Sequence, residues 1–201
     1  MNLDRAGWPF VLGLAAITLV LVMVAAPLAL VSGLLLIFTL NFFRDPERLA
    51  PEGRHVLLSP ADGRIIRADA FRVSIFMNVF DVHVCRSPVA GTVASVVHEP
   101  GRFLAAMKDE AGEQNERTVV VVQPADGAPV RFVLVAGLVA RRIVCRVEAG
   151  RTLAQGERVG IIRFGSRVDV DLPEGSTPAV RVKDRVVAGA TVIARRPPRP
   201  A

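Results

Sequence analysis

Three polar side chains in this sequence are of the types that carry out nucleophilic chemistry on a carbonyl group. Ser166 follows Gly165 between two runs of β-type residues, which places its hydroxyl beside the preceding peptide carbonyl. His83 lies in an apolar, strand-like stretch, 75–88, and is suited to act as a general base, because imidazole titrates close to neutral pH. Asp62 lies in a Ser-Pro-Ala-Asp-Gly turn, and a carboxylate that accepts a histidine N–H orients the ring. Spacing along the chain does not establish that the three meet.

Each of these residues also has an ordinary structural interpretation. Gly165-Ser166 alone is typical of a bulge or tight turn with a solvated serine, and a second such pair, Gly175-Ser176, lies in a Pro-Glu-Gly-Ser-Thr-Pro turn. A lone histidine in an apolar strand, such as His83, is often a hydrogen-bonded core residue. An isolated Asp62 before a glycine is typical of an Asx-turn.

The sequence predicts neither a metal site nor a nucleotide site. Walker-type loops, dinucleotide fingerprints, His-Glu-x-x-His and Cys-x-x-Cys pairs are all missing from it. Cys85 and Cys145 are far apart in apolar runs, which predicts two reduced, buried thiols. His55 and His98 are predicted to be exposed and receive no role.

The first part of the chain is predicted to be a hydrophobic helical hairpin. Residues 8–43 carry no charge and as one helix would reach about 50 Å, beyond the ~30 Å hydrocarbon core of a bilayer. Pro27 therefore favours two helices, about 8–24 and 28–42, and whether they span the bilayer or lie in one leaflet stays open. The alternative, a hairpin buried in a soluble core, is disfavoured because the remaining chain is small and β-like. The arginines that follow place this end in the cytoplasm by the positive-inside rule.

The charge balance suits an anionic surface. The 201 residues include 25 basic and 19 acidic ones, a formal charge of +6, and the only lysines are Lys108 and Lys183. Such a balance fits nucleic acid or an anionic bilayer equally well. Ten Phe, one Trp and no Tyr leave few platforms on which bases could stack, so no nucleic-acid partner is predicted.

From Val56 onward, short runs rich in Val and Ile alternate with Gly and Pro turns every eight to twelve residues. The predicted strands include 56–58, 63–68, 72–77 and 179–182, and the polar stretch 109–117 is predicted to be a loop. This spacing predicts a mainly β fold, a sandwich or barrel. Residues 148–160 have the Gly-turn-strand rhythm of lipoyl-carrier-like barrels, without the lysine that such carriers modify. The predicted domains are the membrane-associated hairpin 1–43, a linker 44–55, a β-rich catalytic domain 56–194 and a frayed tail 195–201.

Taken together, four stretches resemble the phosphatidylserine decarboxylase proenzymes of the short bacterial and archaeal type. They are Asn41-Phe42-Phe43-Arg44-Asp45-Pro46, Ser59-Pro60-Ala61-Asp62-Gly63, Phe76-Met77-Asn78-Val79-Phe80-Asp81-Val82-His83-Val84 and Arg163-Phe164-Gly165-Ser166-Arg167-Val168-Asp169. The resemblance covers nearly the whole chain. The relatives have Leu-Gly-Ser where this chain has Phe164-Gly165-Ser166, and the longer form has a second histidine where Phe80 stands.

The resemblance implies a chain that cuts itself. The Ser166 hydroxyl would attack the Gly165 carbonyl, and β-elimination from the resulting ester would release a β chain, 1–165, and an α chain, 166–201. Position 166 would become a pyruvoyl cofactor with loss of ammonia, and the two chains would form a heterodimer. Carried over by motif, Ser166 is the nucleophile, His83 the base and Asp62 the orienting carboxylate.

The implied activity is conversion of phosphatidylserine in the membrane to phosphatidylethanolamine and CO₂ through a Schiff base, at the cytoplasmic face of the cell membrane. His83 is the candidate for returning a proton to carbon. Two alternatives remain: a non-enzymatic, membrane-anchored β-domain serving as a scaffold or carrier-like module, and a pyruvoyl decarboxylase for a soluble amino acid, which gives no reason for a hairpin. The oligomeric state beyond the heterodimer stays open.

Overall fold

The computed structural model describes residues 2–51, 53, 55–108, 110–138, 142–163 and 165–197. They form two compact units, a first one that ends at Glu47 and a second one that begins at Arg48.

The first unit is a helical hairpin. A 3-10 turn, Arg5–Gly7, leads into α1, Trp8–Val24, and α2 follows as Ala26–Phe42. The helices separate at Ala25, whose φ of −153° is extended, and a proline lies in the first turn of each. Thr18 and Ser32 join the two helices by a hydrogen bond between hydroxyls. The predicted break in the apolar segment is therefore found, with the second helix beginning two residues earlier than expected.

The outer surface of this hairpin is apolar. Leu19, Met23, Leu30 and Ile37 are more than 60% exposed, although hydrophobic side chains normally avoid water. Among the described residues, Arg5–Val24 is the one helical stretch long and apolar enough to cross a membrane, at 20 residues or about 30 Å. Ala26–Phe42 is apolar but shorter. Both features are compatible with membrane association.

The described residues of the second unit form fourteen strands and one short helix. The strands are β1 Val56–Leu58, β2 Gly63–Ala68, β3 Arg72–Met77, β4 Val84–Arg86, β5 Gly91–Glu99, β6 Arg117–Gln123, β7 Val130–Val135, β8 Ile143–Cys145, β9 Thr152–Leu153, β10 Arg158–Ile162, β11 Ser166–Asp171, β12 Thr177–Pro178, β13 Arg185–Val186 and β14 Val192–Arg195; the helix is α3, Ala111–Gln114.

The strands form three antiparallel sheets. The largest has the order β13-β2-β3-β11-β7-β6-β5-β9, and the smaller ones are β1-β14-β12 and β4-β10-β8. In β11 the side chains alternate: Val168 and Val170 lie in the hydrophobic core with Val73 and Ile75 of β3, and the polar residues between them occupy the other face. The strand that begins with Ser166, β11, is thus hydrogen-bonded to β3 on one side and to β7 on the other.

The mainly β fold and the N-terminal apolar helix are confirmed. The sheets are open, since none of the described strands closes a barrel. The run 179–182 is not a strand in the structure. A turn at 182–183 ends it, because the Asp184 carboxylate accepts from the Arg181 N–H at 2.7 Å and closes the chain locally. Within the predicted loop 109–117, α3 supplies one helical turn. Part of the predicted tail belongs to β14, while residues 198–201 lie outside the described residues.

Candidate active site

Ser166 is the first residue of β11 and is fully buried. It lies opposite Met77 at the end of β3, and its hydroxyl donates to the Met77 sulfur at 3.2 Å. A thioether is a weak acceptor, so little energy holds the hydroxyl in this orientation. The interpretation of Gly165-Ser166 as a turn with a solvated serine is therefore wrong, because no part of Ser166 reaches solvent.

The residue before it has a backbone that favours glycine. Gly165 has a φ of +67°, in the left-handed region that side chains with a Cβ rarely adopt. Its carbonyl oxygen packs directly on Gly137, where a Cβ would lie 1.9 Å from that oxygen. The Gly165 carbonyl is thus held by a contact that only a glycine at position 137 allows.

Gly137 was not predicted as a site residue. It follows β7 after Ala136, and a lone glycine at the end of a buried strand often marks a close approach of another backbone segment. That signal is present in the sequence, but it does not say which segment approaches.

His83 lies one residue before β4 and is fully buried. Residues 79–81 form a turn rather than the predicted strand. The Nδ1 atom lies 2.9 Å from the Asp81 carbonyl oxygen, which can only accept, so Nδ1 carries a proton and Nε2 is the basic nitrogen of the neutral ring. The His83 carbonyl in turn accepts from Ile162 N–H at 3.3 Å.

The structure brings the segments that carry His83 and Ser166 together. They meet at two described points: Met77 pairs with Ser166, and the His83 carbonyl accepts from the Ile162 N–H. His83 and Ser166 thus lie on segments whose backbones are joined at both points. The Ser166 hydroxyl is turned towards Met77, so a proton transfer to His83 requires rotation of the serine side chain.

The Asp62 carboxylate accepts two hydrogen bonds in this structure. One carboxylate oxygen accepts from Arg48 at 3.0 Å and the other from Ala188 N–H at 2.7 Å. Its turn is joined to β4 by a hydrogen bond from Arg86 N–H to the Pro60 carbonyl. The turn therefore lies beside the strand that follows His83, whereas the described acceptor at His83 Nδ1 is the Asp81 carbonyl. An orienting role for Asp62 stays a prediction.

Comparison with known proteins places this arrangement in a family. Residues 35–194 match the profile of the phosphatidylserine decarboxylase family. The chain belongs to the phosphatidylserine decarboxylase family. It is 46% identical to the phosphatidylserine decarboxylase proenzyme of Paraburkholderia phymatum, over 94% of this chain and 95% of that protein. It is 49% identical to that of Nitratidesulfovibrio vulgaris, over 85% and 83%, and 46% identical to that of Burkholderia mallei, over 98% and 96%.

This phosphatidylserine decarboxylase family member is therefore an enzyme, and it is made as a proenzyme. The resemblance seen in the four sequence motifs is confirmed by these matches, which extend over nearly the entire chain.

A buried ion pair directly follows Ser166 and is not among the residues predicted from the sequence. Arg167 donates to the Asp169 carboxylate at 2.6 Å, and both side chains are 2% exposed. The same guanidinium donates to the Ser74 hydroxyl at 3.1 Å and to the Lys108 carbonyl at 3.2 Å. Opposite charges two residues apart in a strand share a face, which is the signal that was available. The pair fixes the start of β11 against β3 in this decarboxylase.

The thiols do not compete with Ser166 as nucleophiles. Cys85 and Cys145 are free, and they pair with Gly160 of β10 from opposite sides. Two strand spacings, about 10 Å, separate them, which is beyond disulfide reach. Burial raises the pKa of both thiols, that of Cys85 most strongly, so both stay protonated. The prediction of reduced thiols is supported, although Cys145 is only half-buried.

Proposed function

We propose that this enzyme converts phosphatidylserine to phosphatidylethanolamine and CO₂ with a pyruvoyl group made from Ser166. The observation that carries the proposal is the junction itself: a fully buried serine that opens a central strand, preceded by a left-handed glycine with a packed carbonyl. Membership of the phosphatidylserine decarboxylase family supports the substrate.

The cofactor would arise by self-cleavage. The Ser166 Oγ attacks the Gly165 carbonyl carbon, the peptide C–N bond breaks, and an ester with a free amine at position 166 results. A base then removes the Cα proton of residue 166, the Cα=Cβ bond forms and the Cβ–Oγ bond breaks, so that Gly165 leaves as a carboxylate. The dehydroalanine tautomerises to an imine, and water replaces its nitrogen, which leaves as ammonia.

His83 is the proposed base for the Ser166 hydroxyl, acting through Nε2. Its burial and the bond from Nδ1 to the Asp81 carbonyl fix the ring, which supports this role. Asp62 is the proposed carboxylate that stabilises the protonated ring. In support, the Asp62 charge acts on Cys85, two residues after His83, and adds to the pKa rise that burial and Cys145 cause.

The surroundings fit a pyruvoyl group at position 166. Residues 167–171 pair with β3, and 167–170 with β7, so the α chain keeps its place once the bond before it is cut. These pairings also support a stable heterodimer of chains 1–165 and 166–201. Within this site the pyruvoyl group supplies a carbonyl that condenses with the substrate amine and accepts the electrons released with CO₂. His83 is the proposed donor of the proton that replaces the carboxylate on the substrate carbon.

The reaction is proposed to take place at the cytoplasmic face of the cell membrane. The apolar surface of α1 and α2 supports insertion of the hairpin into the lipid phase in which the substrate resides. The arginines after the hairpin support the cytoplasmic side.

Purified protein in detergent should release CO₂ from carboxyl-labelled phosphatidylserine. An intact-mass spectrum should show two chains, of which the small one is blocked to Edman sequencing and lacks the nitrogen of Ser166. One uncut chain that releases no CO₂ would instead favour the non-enzymatic scaffold or carrier-like module.

Replacing Gly137 with alanine should slow self-cleavage by about 100-fold, because the new Cβ would force the attacked carbonyl out of place. A methyl group 1.9 Å from the Gly165 oxygen cannot be accommodated without moving one of the two backbones. The measurement is the fraction of cut chain over time after synthesis, followed by gel electrophoresis and mass spectrometry.

Gly160→Ala is the matched control. A Cβ there would lie 2.2 Å from the Val144 carbonyl oxygen, a comparable clash away from Gly165. Both variants should lose about 1–3 kcal/mol of stability from overpacking. Folded Gly160→Ala should still cut itself, and equal cleavage by folded Gly137→Ala would show that the contact has no role.

A further inference from the structure

An open pocket of about 380 Å³ lies on the second unit and has two kinds of wall. Its apolar residues are Ile65, Ile66, Phe76, Met107 and Val182, and its polar ones are Arg64, Asn78 and Lys183. Met107 and Val182 are more than half exposed, so the apolar wall continues onto the surface. Apolar walls with two convergent cations fit a ligand that joins hydrocarbon to an anion.

The two cations have no carboxylate partner in the part of the chain that the structure describes. Many arginines of this unit pair with carboxylates, among them Arg72 with Asp171 and Arg117 with Glu99. Among the described residues, the side chains of Arg64 and Lys183 also have no hydrogen-bonding partner. Their charge is therefore available to a ligand in the pocket.

Lys183 is held in a backbone conformation that lysine rarely adopts. Its φ is +81°, and its N–H donates to the Ile65 carbonyl at 2.8 Å. The Ile65 N–H returns a bond to the Asp184 carbonyl at 2.9 Å. These two bonds tie the turn to β2 and fix the lysine at the pocket, at a strain that glycine would avoid.

The pocket adjoins the end of the strand pair that holds the reacting serine. Phe76 and Asn78 line it, and Met77 between them is the residue paired with Ser166. Neighbouring strands lie about 4.8 Å apart, so the wall is one strand away from position 166. The proposed cut makes position 166 a chain end, which a ligand in the pocket can reach around the end of β11.

We propose that this pocket binds the phosphodiester of the substrate lipid through Arg64 and Lys183, while its apolar wall holds the glycerol and the first acyl carbons. The assignment rests on the proposed function. Phosphatidylserine carries a second anion, the carboxylate that leaves as CO₂. A cation that binds this carboxylate stabilises the substrate more than the transition state, in which the carboxylate loses its charge, and so slows the reaction. The phosphate keeps its charge throughout. We therefore assign Arg64 and Lys183 to the phosphate.

Lys183→Gly separates binding from folding. It removes the ammonium and also the strain at φ +81°, so the thermal midpoint should stay equal or rise. With dihexanoylphosphatidylserine below its micellar concentration, the KM of the cut enzyme should rise about tenfold. Lys183→Arg should restore most of this loss, and Arg64→Ala should raise KM to a similar extent. A residue with only a structural role would lower the thermal midpoint instead.

Binding is also measured by calorimetry on the uncut Ser166→Ala chain, which needs no activity. Dihexanoylphosphatidylserine should bind about tenfold more weakly when Lys183→Gly is added, and uncharged dihexanoylglycerol should be unaffected. Arg181→Ala, an exposed cation of the same turn that does not line the pocket, is the matched control and should bind as the parent does. Unchanged binding and KM in Lys183→Gly and Arg64→Ala overturn the pocket assignment alone. If the Ser166→Ala chain binds the lipid but the unsubstituted enzyme releases no CO₂ from it, the proposed function is overturned and the pocket is not.

Discussion

Replacing Ser166 with alanine should leave the chain in one piece under all conditions in which the parent divides into chains 1–165 and 166–201. The proposed cut begins with the Ser166 Oγ, and alanine has no atom that can attack the Gly165 carbonyl. Decarboxylation should be lost as well, because the carbonyl group that the reaction needs derives from that serine. The mass spectrum of the purified variant should show one uncut chain.

Ser176→Ala is a demanding control, because Ser176 has the same local features. It is also buried, and it also follows a left-handed glycine, Gly175, whose φ is +76° against +67° for Gly165. It differs in its surroundings: Ser176 closes a turn by donating its N–H to Pro173, whereas the Gly165 carbonyl packs on Gly137. Ser176→Ala should therefore cut as completely as the parent. Cleavage that persisted in Ser166→Ala would place the cut elsewhere and end the proposal.

The comparison of the two Gly-Ser pairs shows where sequence reasoning is strong and where it ends. A positive φ is a local property, and both glycines satisfy it. The setting of Ser166 is not local, since it depends on the pairing of β11 with β3, in which Ser166 meets a residue 89 positions earlier. The sequence set the two pairs apart by their flanks, since Ser166 lies between β-type runs and Ser176 between prolines, and only the resemblance to a family gave Ser166 a chemical role.

Strands with alternating β-branched residues between turn residues were predictable. Residues 56–58, 63–68 and 72–77 were expected as strands and have those bounds in the structure. The order of strands in the sheets was not predictable, because periodicity carries no information on partners. The strand predicted at 179–182 was wrong for a different reason. The Asp184 side chain accepts from the Arg181 N–H, and this local bond favours a turn over the strand that the β-type residues indicate.

In the candidate site, too, the side chains could be predicted from the sequence and the contacts between distant segments could not. Ser166, His83 and Asp62 were found as residue types suited to a chemistry and by motif. The Gly137 contact is a through-space approach of two backbones, and the acceptor for His83 is a main-chain carbonyl whose residue type is irrelevant. Contacts made by backbone atoms leave little trace in a sequence. This explains why the side chains were predicted and their supports were not.

His83→Asn should slow self-cleavage by about 10²- to 10⁴-fold, the usual contribution of a general base. Asparagine keeps an amide N–H that can donate to the Asp81 carbonyl in place of Nδ1, so the buried position stays hydrogen-bonded. It offers no basic nitrogen to the Ser166 hydroxyl. The variant should thus remain folded, with a thermal midpoint close to that of the parent, and accumulate as the uncut proenzyme. His98→Asn, on the exposed face of β5, is the matched control and should cut normally.

Asp62→Asn tests whether the Asp62 carboxylate assists His83 in self-cleavage. Its rate of self-cleavage is compared with that of His83→Asn. If Asp62 stabilises the protonated imidazole, its amide variant should cut slowly, because the ring that accepts the Ser166 proton then lacks the negative charge that stabilises it. If Asp62 serves only as the acceptor for Arg48 and the Ala188 N–H, the variant should lose stability and yet cut at the parent rate while folded. Adding Asp62→Asn to His83→Asn separates the two roles. If Asp62 only orients the base, the double variant should cut and unfold as His83→Asn alone does. If Asp62 has a structural role, the double variant should lose further stability.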